Sequence, residues 1–381
     1  MMKKRTRVLF IIESLAGGGA EKVLAVLTKH FNYEKYEITV CSIADGGIYC
    51  EEVKRKATCY KPIISYKGSF LCLLWNKIKY KLIYSFLPLV LVYKWFIPQG
   101  NDVEIAFCEG YVTKLLAHAN SKAKKMAWVH TDLKDNPWPI KLGIFHDIDE
   151  EKRFYSAFNK IICVSKSACQ SFINLYGFEN KTITVYNPID ASDICSKIGQ
   201  KKRGKDRNIR LISVGRLVPQ KGFDRLLKVV KRLYDKGYPI HLSILGDGNE
   251  RETLEKYMES YNMQSYVSLP GFLENPYQEM SESDLFVCSS RAEGFSLVIA
   301  EAMVLGIPVI STYCSGPNEL LQEGKYGLLV ENSEEGLYQG IKKLLDDHSE
   351  LDRLGEMALS RGNMLGVDET MHRIENLLEE S

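Results

Sequence analysis

The sequence predicts an α/β protein of two domains, each with a parallel β-sheet covered by helices on both faces. The chain has 381 residues, and chains of this length usually divide because a single core stops growing. Short apolar, β-rich runs alternate with helical patterns along most of the chain, which is typical of parallel sheets. A polar segment near the middle interrupts the alternation, and it indicates the domain boundary.

Six strand-like runs precede the polar segment and predict the first sheet. Helical patterns lie between several of them, as in Ala20–His30, where Val23, Leu24 and Leu27 recur at helical spacing. The six runs are Val8–Ile12, Ile38–Ser42, Glu104–Phe107, Lys125–His130, Lys160–Val164 and Thr182–Tyr186.

A second series of six runs follows the polar segment and predicts the second sheet. Helical patterns again intervene, such as Phe223–Lys236 and Glu250–Tyr261. The strand-like runs are Arg210–Val214, His241–Leu245, Val267–Leu269, Leu285–Cys288, Val309–Ser311 and Gly327–Val330.

The predicted domains are Rossmann-like, with the N-terminal one over residues 1–190 and the C-terminal one over 208–364. Residues 191–207 form the linker, and residues 365–381 form a helix that packs back on the first domain through an apolar stripe. Ligands of parallel sheets bind at the carboxyl ends of the strands, so we expect the site there, between two facing domains. The stripe consists of Met371, Ile374, Leu377 and Leu378.

Composition excludes several classes of protein. The chain is 45% hydrophobic with a formal net charge of +2, which argues against a disordered chain and against a nucleic-acid binder. Residues 1–199 carry +9 and residues 200–381 carry −7, so the two domains present different surfaces. Ten cysteines contain no CxxC pair, and the first apolar run is too short for a signal peptide. We therefore expect a reduced, cytoplasmic protein.

Residues 53–101 contain nine basic residues and no acidic one, together with several aromatic residues. The apolar run Leu82–Ile97 is interrupted by Pro88 and Lys94 and falls short of the ~20 residues that a membrane-spanning helix needs. Two interpretations stay open: a buried helix with a solvated basic face, and an interfacial element that meets anionic lipid headgroups. The candidate acceptor or membrane face comprises Trp75, Lys77, Lys79, Lys81, Trp95 and, in a separate loop, Trp138.

A glycine loop follows the first strand. Gly18 and Gly19 lead into the first helix, and the free N–H groups of such a loop suit a phosphate. The spacing is not that of a dinucleotide fingerprint, because Lys22 stands where a glycine would be needed. A tight turn without a ligand would give the same pattern.

Two cations follow the first strand of the second domain. Arg216 and Lys221 lie just beyond Gly215, where they could neutralise a departing diphosphate without a metal. Gly246 and the pair Gly271–Phe272 follow the next two strands; the first indicates a turn and the second an edge for a nucleotide base.

The most specific motif runs from Ser289 to Met303, SSRAEGFSLVIAEAM. Ser296 is placed to cap a helix that Gly306 and Pro308 end. The free N–H groups at the start of such a helix would bind phosphate. They belong to Phe295, Ser296, Leu297 and Val298.

Two carboxylates flank the start of that helix. Glu293 precedes it and Glu301 lies within it, which separates them by on the order of 10 Å along the axis. This suits the two ends of one extended ligand better than a general acid–base pair. A plain helix with one N-terminal acid would not explain why Arg291, Glu293 and Gly294 occur together.

His130 closes a strand of the first domain, in the run VHTD. A single histidine is usually structural, but its place at a strand end makes it a candidate catalytic residue. The other histidines occupy unremarkable positions, and no pair has the spacing of metal ligands.

Together these residues resemble the retaining glycosyltransferases of family 4, which have the two-domain GT-B fold. The resemblance spans nearly the whole chain and is most specific in its second half. It rests on GGGAEKV, VHTD, NPID, GR with QKG, GDG, PGF, SRAEGFSLVIAEAM, GIPVI, SGPNEL and GLLV.

The resemblance implies a UDP-sugar donor held mainly by the second domain, with no metal or other cofactor. Glu301 then holds the ribose, Glu293 with the backbone of Gly294–Phe295 holds the sugar, and Arg216 with Lys221 binds the diphosphate. His130 lies near the sugar, and Gly18 and Gly19 approach the donor phosphate or the acceptor. Members often carry an acid beside the lysine, where this chain has Gln220. Donor contacts are also expected from Gly215, Gly246, Gly271, Phe272, Ser296, Leu297 and Val298.

The acceptor belongs to the first, more variable domain. The aromatic and basic span in that domain leads us to expect a lipid or lipid-linked glycan acceptor and a peripheral position on the inner face of the plasma membrane. Transfer to a soluble or polysaccharide acceptor stays open. A UDP-sugar 2-epimerase and a non-catalytic nucleotide-sugar binder are more remote alternatives. The sequence does not distinguish glucose, galactose and their N-acetyl forms in the donor.

Overall fold

The structure is a computed structural model that describes residues 4–65, 69–119, 121–200 and 208–380. The chain divides into two compact units, Met1–Pro188 with Val367–Ser381, and Ile189–Gly366. Each unit contains one β-sheet, and all strand pairings in both sheets are parallel. The predicted α/β class with two Rossmann-like domains is confirmed.

The first unit contains a seven-stranded sheet with the order β3-β2-β1-β4-β5-β6-β7. Its central strand β1 is almost fully buried, as expected of a strand with helices on both faces. The strands are β1 (Thr6–Ile12), β2 (Tyr36–Ala44), β3 (Cys59–Ile64), β4 (Val103–Ala106), β5 (Lys124–Val129), β6 (Lys160–Cys163) and β7 (Thr182–Thr184).

Among the described residues of the first unit, nine α-helices connect and cover these strands. A π-helical turn, Leu82–Phe86, separates α3 from α4, and a 3₁₀ turn, Glu179–Lys181, precedes β7. The helices are α1 (Gly19–His30), α2 (Cys50–Lys56), α3 (Phe70–Lys81), α4 (Leu89–Phe96), α5 (Tyr111–Ala117), α6 (Trp138–Lys141), α7 (Ile148–Ser156), α8 (Lys166–Tyr176) and the C-terminal α17 (Asp368–Glu379).

The second unit contains a six-stranded sheet with the order β10-β9-β8-β11-β12-β13. Its strands are β8 (Ile209–Val214), β9 (Ile240–Leu245), β10 (Val267–Gly271), β11 (Leu285–Cys288), β12 (Val309–Thr312) and β13 (Leu328–Val330). Its helices are α9 (Ala191–Ser196), α10 (Phe223–Asp235), α11 (Arg251–Ser260), α12 (Tyr277–Ser281), α13 (Leu297–Val304), α14 (Ser315–Leu320), α15 (Glu334–Asp346) and α16 (His348–Gly362), with a 3₁₀ turn at Pro219–Lys221.

The C-terminal helix α17 belongs to the first unit. The four apolar residues of its predicted stripe are all buried. Its C-terminal end is held by the first sheet: Tyr36 donates a 3.0 Å hydrogen bond to Glu379, and Lys124 donates to the carbonyl of Leu377 at 2.9 Å. The prediction that this helix crosses back to the first domain is confirmed.

Two elements differ from the sequence prediction. Strand β3 was not predicted, because its six residues include Pro62 and Lys61, and proline is tolerated only at edges or bulges of a sheet. The structure places β3 at the edge of its sheet. The predicted linker, residues 191–207, begins with α9, which packs against α13 of the second unit; its residues 201–207 lie outside the described residues.

Candidate functional site

The second unit brings three polar side chains together where β8 and β11 end. The ammonium Nζ of Lys221 lies 2.5 Å from Oε1 of Glu293. The hydroxyl of Ser290 donates to the same carboxylate oxygen at 2.6 Å. Lys221 sits in the 3₁₀ turn after β8, and Glu293 and Ser290 lie in the loop between β11 and α13. Parallel strands end at one edge of the sheet, so residues 72 positions apart meet.

The charge state of Lys221 is decided by Glu293. Burial alone lowers the pKa of Lys221, but the negative charge of Glu293 and the hydrogen bond to it outweigh burial, so the pKa is raised. Lys221 is therefore a permanent cation. Arg216 is exposed on the loop after β8 and close enough to act electrostatically on Lys221. The structure thus places both predicted cations at the same strand end.

The loop that carries Ser290 and Glu293 is held by a buried arginine. Arg225 is 7% exposed, and its guanidinium donates to the carbonyls of Ser289 and Ser290 at 2.7 and 2.8 Å. Hydrogen bonds from charged groups to buried carbonyls are stronger than neutral ones. The sequence analysis missed Arg225; the only available signal was a charged residue on the apolar face of α10.

Gln220 and Arg291 also support this loop. The Gln220 amide donates to the carbonyl of Ala292 at 2.8 Å, so the amide holds the loop. Arg291 forms a two-bond ion pair with Asp224, with both distances 2.8 Å. The occurrence of Arg291 close to Glu293 is therefore explained by its support of the loop.

The start of α13 is formed differently from the prediction. Ser296 precedes the first helical residue, but its hydroxyl makes no capping hydrogen bond, and its φ of 72° is left-handed. The side chain is buried, and its oxygen has no hydrogen-bond partner among the described residues. The prediction of a serine cap is wrong, because Ser296 lacks the extended backbone that capping residues typically have. Non-glycine residues with this conformation are strained and are frequent at functional sites.

A glycine that the sequence analysis did not single out supports the same backbone. A Cβ atom added to Gly316 would lie 2.6 Å from the nitrogen of Phe295 and 2.7 Å from the carbonyl carbon of Gly294. The Gly316 N–H donates to the carbonyl of Glu293 at 3.0 Å. Gly316 therefore fixes the loop at the start of α13, and Glu301 lies buried further along that helix.

The remaining predicted donor-binding residues lie at neighbouring strand ends. A Cβ on Gly246, whose φ is +139°, would lie 1.9 Å from the carbonyl oxygen of Gly215, so only glycine permits this approach. The Gly246 N–H donates to the carbonyl of Gly271 at 2.9 Å, and the Gly215 N–H donates to that of Leu245 at 2.9 Å. These two bonds link β8, β9 and β10 at their carboxyl ends. Phe272 follows and is exposed. Leu297 and Val298 form the first turn of α13.

The first unit contains a second group of polar residues, around His130. Nε2 of His130 lies 3.1 Å from the carbonyl oxygen of Phe107, and its ring stacks parallel to that of Trp128 with the centroids 6.1 Å apart. Burial lowers the pKa of His130 to about 3, so the imidazole is neutral. Because a carbonyl only accepts, Nε2 carries the proton, and Nδ1 is left as an acceptor.

A buried carboxylate, missed by the sequence analysis, holds the backbone at His130. Oε1 of Glu109 accepts hydrogen bonds from the N–H groups of His130 and Thr131 at 2.8 and 2.7 Å. Glu109 is 2% exposed, and burial raises its pKa to about 7. The sequence offered only an acid three residues beyond β4.

The glycine loop has an acidic side chain at the start of its helix. Helix α1 begins at Gly19, and Gly18 precedes it with extended backbone. A Cβ on Gly18 would lie 2.3 Å from Oε2 of Glu21, so the chain's own carboxylate already occupies this helix end. An anion that binds at the start of α1 would have to displace the Glu21 carboxylate or bind beside it.

The predicted acceptor or membrane face is largely exposed, with two exceptions. Trp75 and Trp95 are 60% and 59% exposed, and Lys77 and Lys81 are exposed. Lys79 instead turns inward and donates to the carbonyl of Ile63 at 2.5 Å. Trp138 packs against the core of the first unit, beside Gly110. Lys79 and Trp138 are thus partly buried, because each finds a partner inside its own unit, and their assignment to an acceptor or membrane face stays a prediction.

None of the described helices is both long and apolar enough to cross a membrane. Among the same residues, there is no group of three or more histidine, cysteine, aspartate or glutamate side chains arranged to hold a metal ion.

The fold and the matching family models indicate a glycosyltransferase of the GT-B class. The model described as glycosyl transferases group 1 matches residues 196–361, and the model described as glycosyltransferase family 4 matches residues 17–193. Together the two models account for most of the chain. The chain thus consists of a region that matches glycosyltransferase family 4, followed by a region that matches glycosyl transferases group 1.

Similar solved structures support the fold over the whole chain. Anabaena Alr3699/HepE in complex with UDP and glucose has a TM-score of 0.78 and 20% identity, covering 99% of this chain and 100% of that one. TarM has a TM-score of 0.76 and 15% identity, covering 99% of both chains. At these identities the likeness shows the fold alone.

Two relatives are similar in sequence over part of their length. The Campylobacter jejuni N-acetylgalactosamine-N,N'-diacetylbacillosaminyl-diphospho-undecaprenol 4-alpha-N-acetylgalactosaminyltransferase is 32% identical over 196 residues, 51% of this chain and 52% of the relative. The Rhizobium meliloti lipopolysaccharide core biosynthesis glycosyltransferase LpsE is 34% identical over 38% of this chain and 42% of the relative. The matched regions thus span about half the length of these relatives.

Proposed function

We propose that this protein is a retaining glycosyltransferase that moves a hexose or N-acetylhexosamine from a UDP-sugar to a lipid or lipid-linked glycan. The transfer is a metal-independent displacement on one face of the sugar. The observation that carries the proposal is the pairing of Lys221 with Glu293 beside Arg216. The resemblance to family 4 assigns Lys221 and Arg216 to the diphosphate of the donor and Glu293 to its sugar.

The donor is proposed to lie across the strand ends of the second unit. Lys221 and Arg216 supply the positive charge that a departing diphosphate needs, and the positive end of the α13 helix dipole adds to it. Glu293 is held by Lys221 and Ser290 and can accept from sugar hydroxyls. The Anabaena structure was solved with UDP and glucose, which agrees with a UDP-sugar donor here.

The proposed glycosyl transfer needs no additional base. The bond between the anomeric carbon and the diphosphate oxygen breaks, and UDP leaves with its electron pair. The acceptor oxygen bonds to the anomeric carbon on the same face, and its proton passes to the leaving diphosphate oxygen. Arg216 and Lys221 stabilise the negative charge that develops on that oxygen. Two-carboxylate retaining mechanisms need carboxyl groups about 5–5.5 Å apart, whereas here Glu293 pairs with a lysine.

The proposed acceptor is suggested by the relatives and by one surface of the first unit. The Campylobacter relative is named for an undecaprenol-linked acceptor. Helix α3 presents Leu71, Leu74, Trp75 and Ile78 to the outside, at the spacing of a single helix face. Its polar residues Asn76 and Lys79 instead donate to backbone carbonyls within the unit. A helix with its apolar face outward needs an apolar partner.

We propose that an anionic bilayer is that partner. Exposed Lys77, Lys81 and Lys94 border the apolar residues, and residues 53–101 contain no acid. Apolar and aromatic residues that enter the headgroup region next to lysines are typical of interfacial helices. On this proposal the protein lies at the inner face of the plasma membrane, where a lipid-linked acceptor is presented.

A donor screen tests the activity. UDP-glucose, UDP-galactose and their N-acetyl forms are each incubated with the protein and detergent-dispersed lipid acceptors, and UDP release and lipid-linked product are measured. We expect one donor to give a labelled lipid product with the anomeric configuration retained. Transfer to soluble acceptors alone would contradict the lipid proposal. Such acceptors are included because one relative, from Niallia circulans, is named 2-deoxystreptamine N-acetyl-D-glucosaminyltransferase. Conversion of a UDP-sugar without acceptor would indicate an epimerase.

A vesicle-binding experiment tests the membrane face. The double variant Trp75→Ala, Trp95→Ala is expected to lower binding to phosphatidylcholine–phosphatidylglycerol vesicles about tenfold or more, because each exposed indole contributes about 1–2 kcal/mol on burial. The matched control is Met364→Ala, which removes a comparably exposed apolar side chain (59%) from the second unit and should bind normally. Absence of binding by the unmodified protein to anionic vesicles would refute the membrane proposal.

A further inference from the structure

The turn that carries His130 is held by a carboxylate from a neighbouring strand end. Glu109 lies beyond β4, His130 directly follows β5, and the two strands pair in parallel with Ala106 opposite Ala127. Both N–H groups of the turn, from His130 and Thr131, reach the same oxygen of Glu109 at 2.8 and 2.7 Å. The Glu109 side chain is 2% exposed, so water has little access to the carboxyl group and cannot readily replace these hydrogen bonds.

The same turn is anchored on its other side. Asp132 is buried, and its two carboxylate oxygens accept from the N–H of Lys134 at 3.1 Å and from the hydroxyl of Ser171 on α8 at 2.9 Å. The imidazole of His130 contacts the Phe107 carbonyl and the rings of Phe107 and Trp128, and these contacts require the His130 backbone to stay in place. The backbone at His130 is thus the part of the turn whose position depends on Glu109.

We propose that Glu109 is a positioning residue that fixes the His130 turn so that Nδ1 of His130 is presented as a hydrogen-bond acceptor toward the substrate. The role needs an acceptor oxygen at Glu109 and not a negative charge. Nδ1 of His130 makes no hydrogen bond among the described residues, while Nε2 is engaged by Phe107. That the substrate is a sugar rests on the proposed function; the positioning role does not.

A pair of variants separates positioning from acid–base catalysis. Glu109→Gln keeps an oxygen that can accept both N–H groups, so turnover should stay within about threefold of the unmodified protein. Glu109→Ala leaves two buried N–H groups unsatisfied, and turnover should fall about tenfold to a hundredfold, with a smaller change in the KM for donor. Equal loss in both variants would overturn the proposal, because it would indicate that the carboxylate itself reacts.

A second readout does not depend on activity. ¹⁵N NMR of histidine-labelled protein reports the tautomer of His130, with His130→Gln used to assign its signals. We expect the Nε2–H tautomer in the unmodified protein and in Glu109→Gln, and a shifted or mixed signal in Glu109→Ala. An unchanged His130 signal in a folded Glu109→Ala protein would refute the positioning role. If no donor or acceptor gives turnover, the proposed function fails, while the NMR comparison still decides this proposal. Thermal unfolding of each variant checks that it is folded.

Discussion

Replacing either cation of the second unit is expected to lower turnover about a hundredfold or more, since each stabilises the leaving diphosphate in the transition state. The variants are Arg216→Ala and Lys221→Ala. Arg216 is exposed, so its removal should leave the melting temperature unchanged. Lys221 neutralises Glu293, which is 8% exposed, and its removal should also lower the free energy of unfolding because a buried charge loses its partner. Steady-state kinetics and thermal unfolding measure the two effects separately.

The control for this experiment lies on α10. Lys228→Ala removes a surface cation whose nearest acidic partner, Glu334, is 3.9 Å away, and such pairs contribute little to stability. This variant should keep full turnover. Near-normal kinetics in both Arg216→Ala and Lys221→Ala would refute the role assigned to the two cations.

Adding a single methyl group at Gly316 is expected to lower kcat/KM for the donor about a hundredfold. The new Cβ of Gly316→Ala would lie 2.6 Å from the Phe295 nitrogen, so the backbone at residues 294–295 must move. A displacement of about 1 Å at positioning groups can cost on the order of a hundredfold in rate. Overpacking of this kind also lowers the free energy of unfolding by about 1–3 kcal/mol.

A glycine in open space gives the matched control for Gly316. A Cβ on Gly366 would meet nothing within 4 Å, so Gly366→Ala should be active and as stable as the unmodified protein. Isothermal titration with UDP would show whether Gly316→Ala has lost nucleotide affinity. If Gly316→Ala binds UDP and turns over normally, the backbone at the start of α13 does not set donor binding.

The sequence predicted strand ends well and side-chain pairing poorly. All twelve predicted strands occur in the structure. Each of them is a short apolar run, because a strand of a parallel sheet is buried on both faces. The edge strand β3 was not predicted because Pro62 and Lys61 interrupt its apolar run. Ser296 looked like a helix cap, but the cap depends on a backbone angle that the left-handed turn reverses. Lys79 looked like a surface cation, yet it meets a carbonyl of β3.

By itself, then, the sequence determined the α/β class, the two sheets and the edge at which Arg216, Lys221 and Glu293 collect. These follow from local periodicity and from the rule that parallel strands end at one edge. The tertiary structure alone decided which groups pair: Lys221 with Glu293 across 72 positions, and Glu109 with His130 across 21. Hydrogen bonds between segments so far apart produce no periodic pattern in the sequence. The position of each partner depends on how its own strand packs in the sheet.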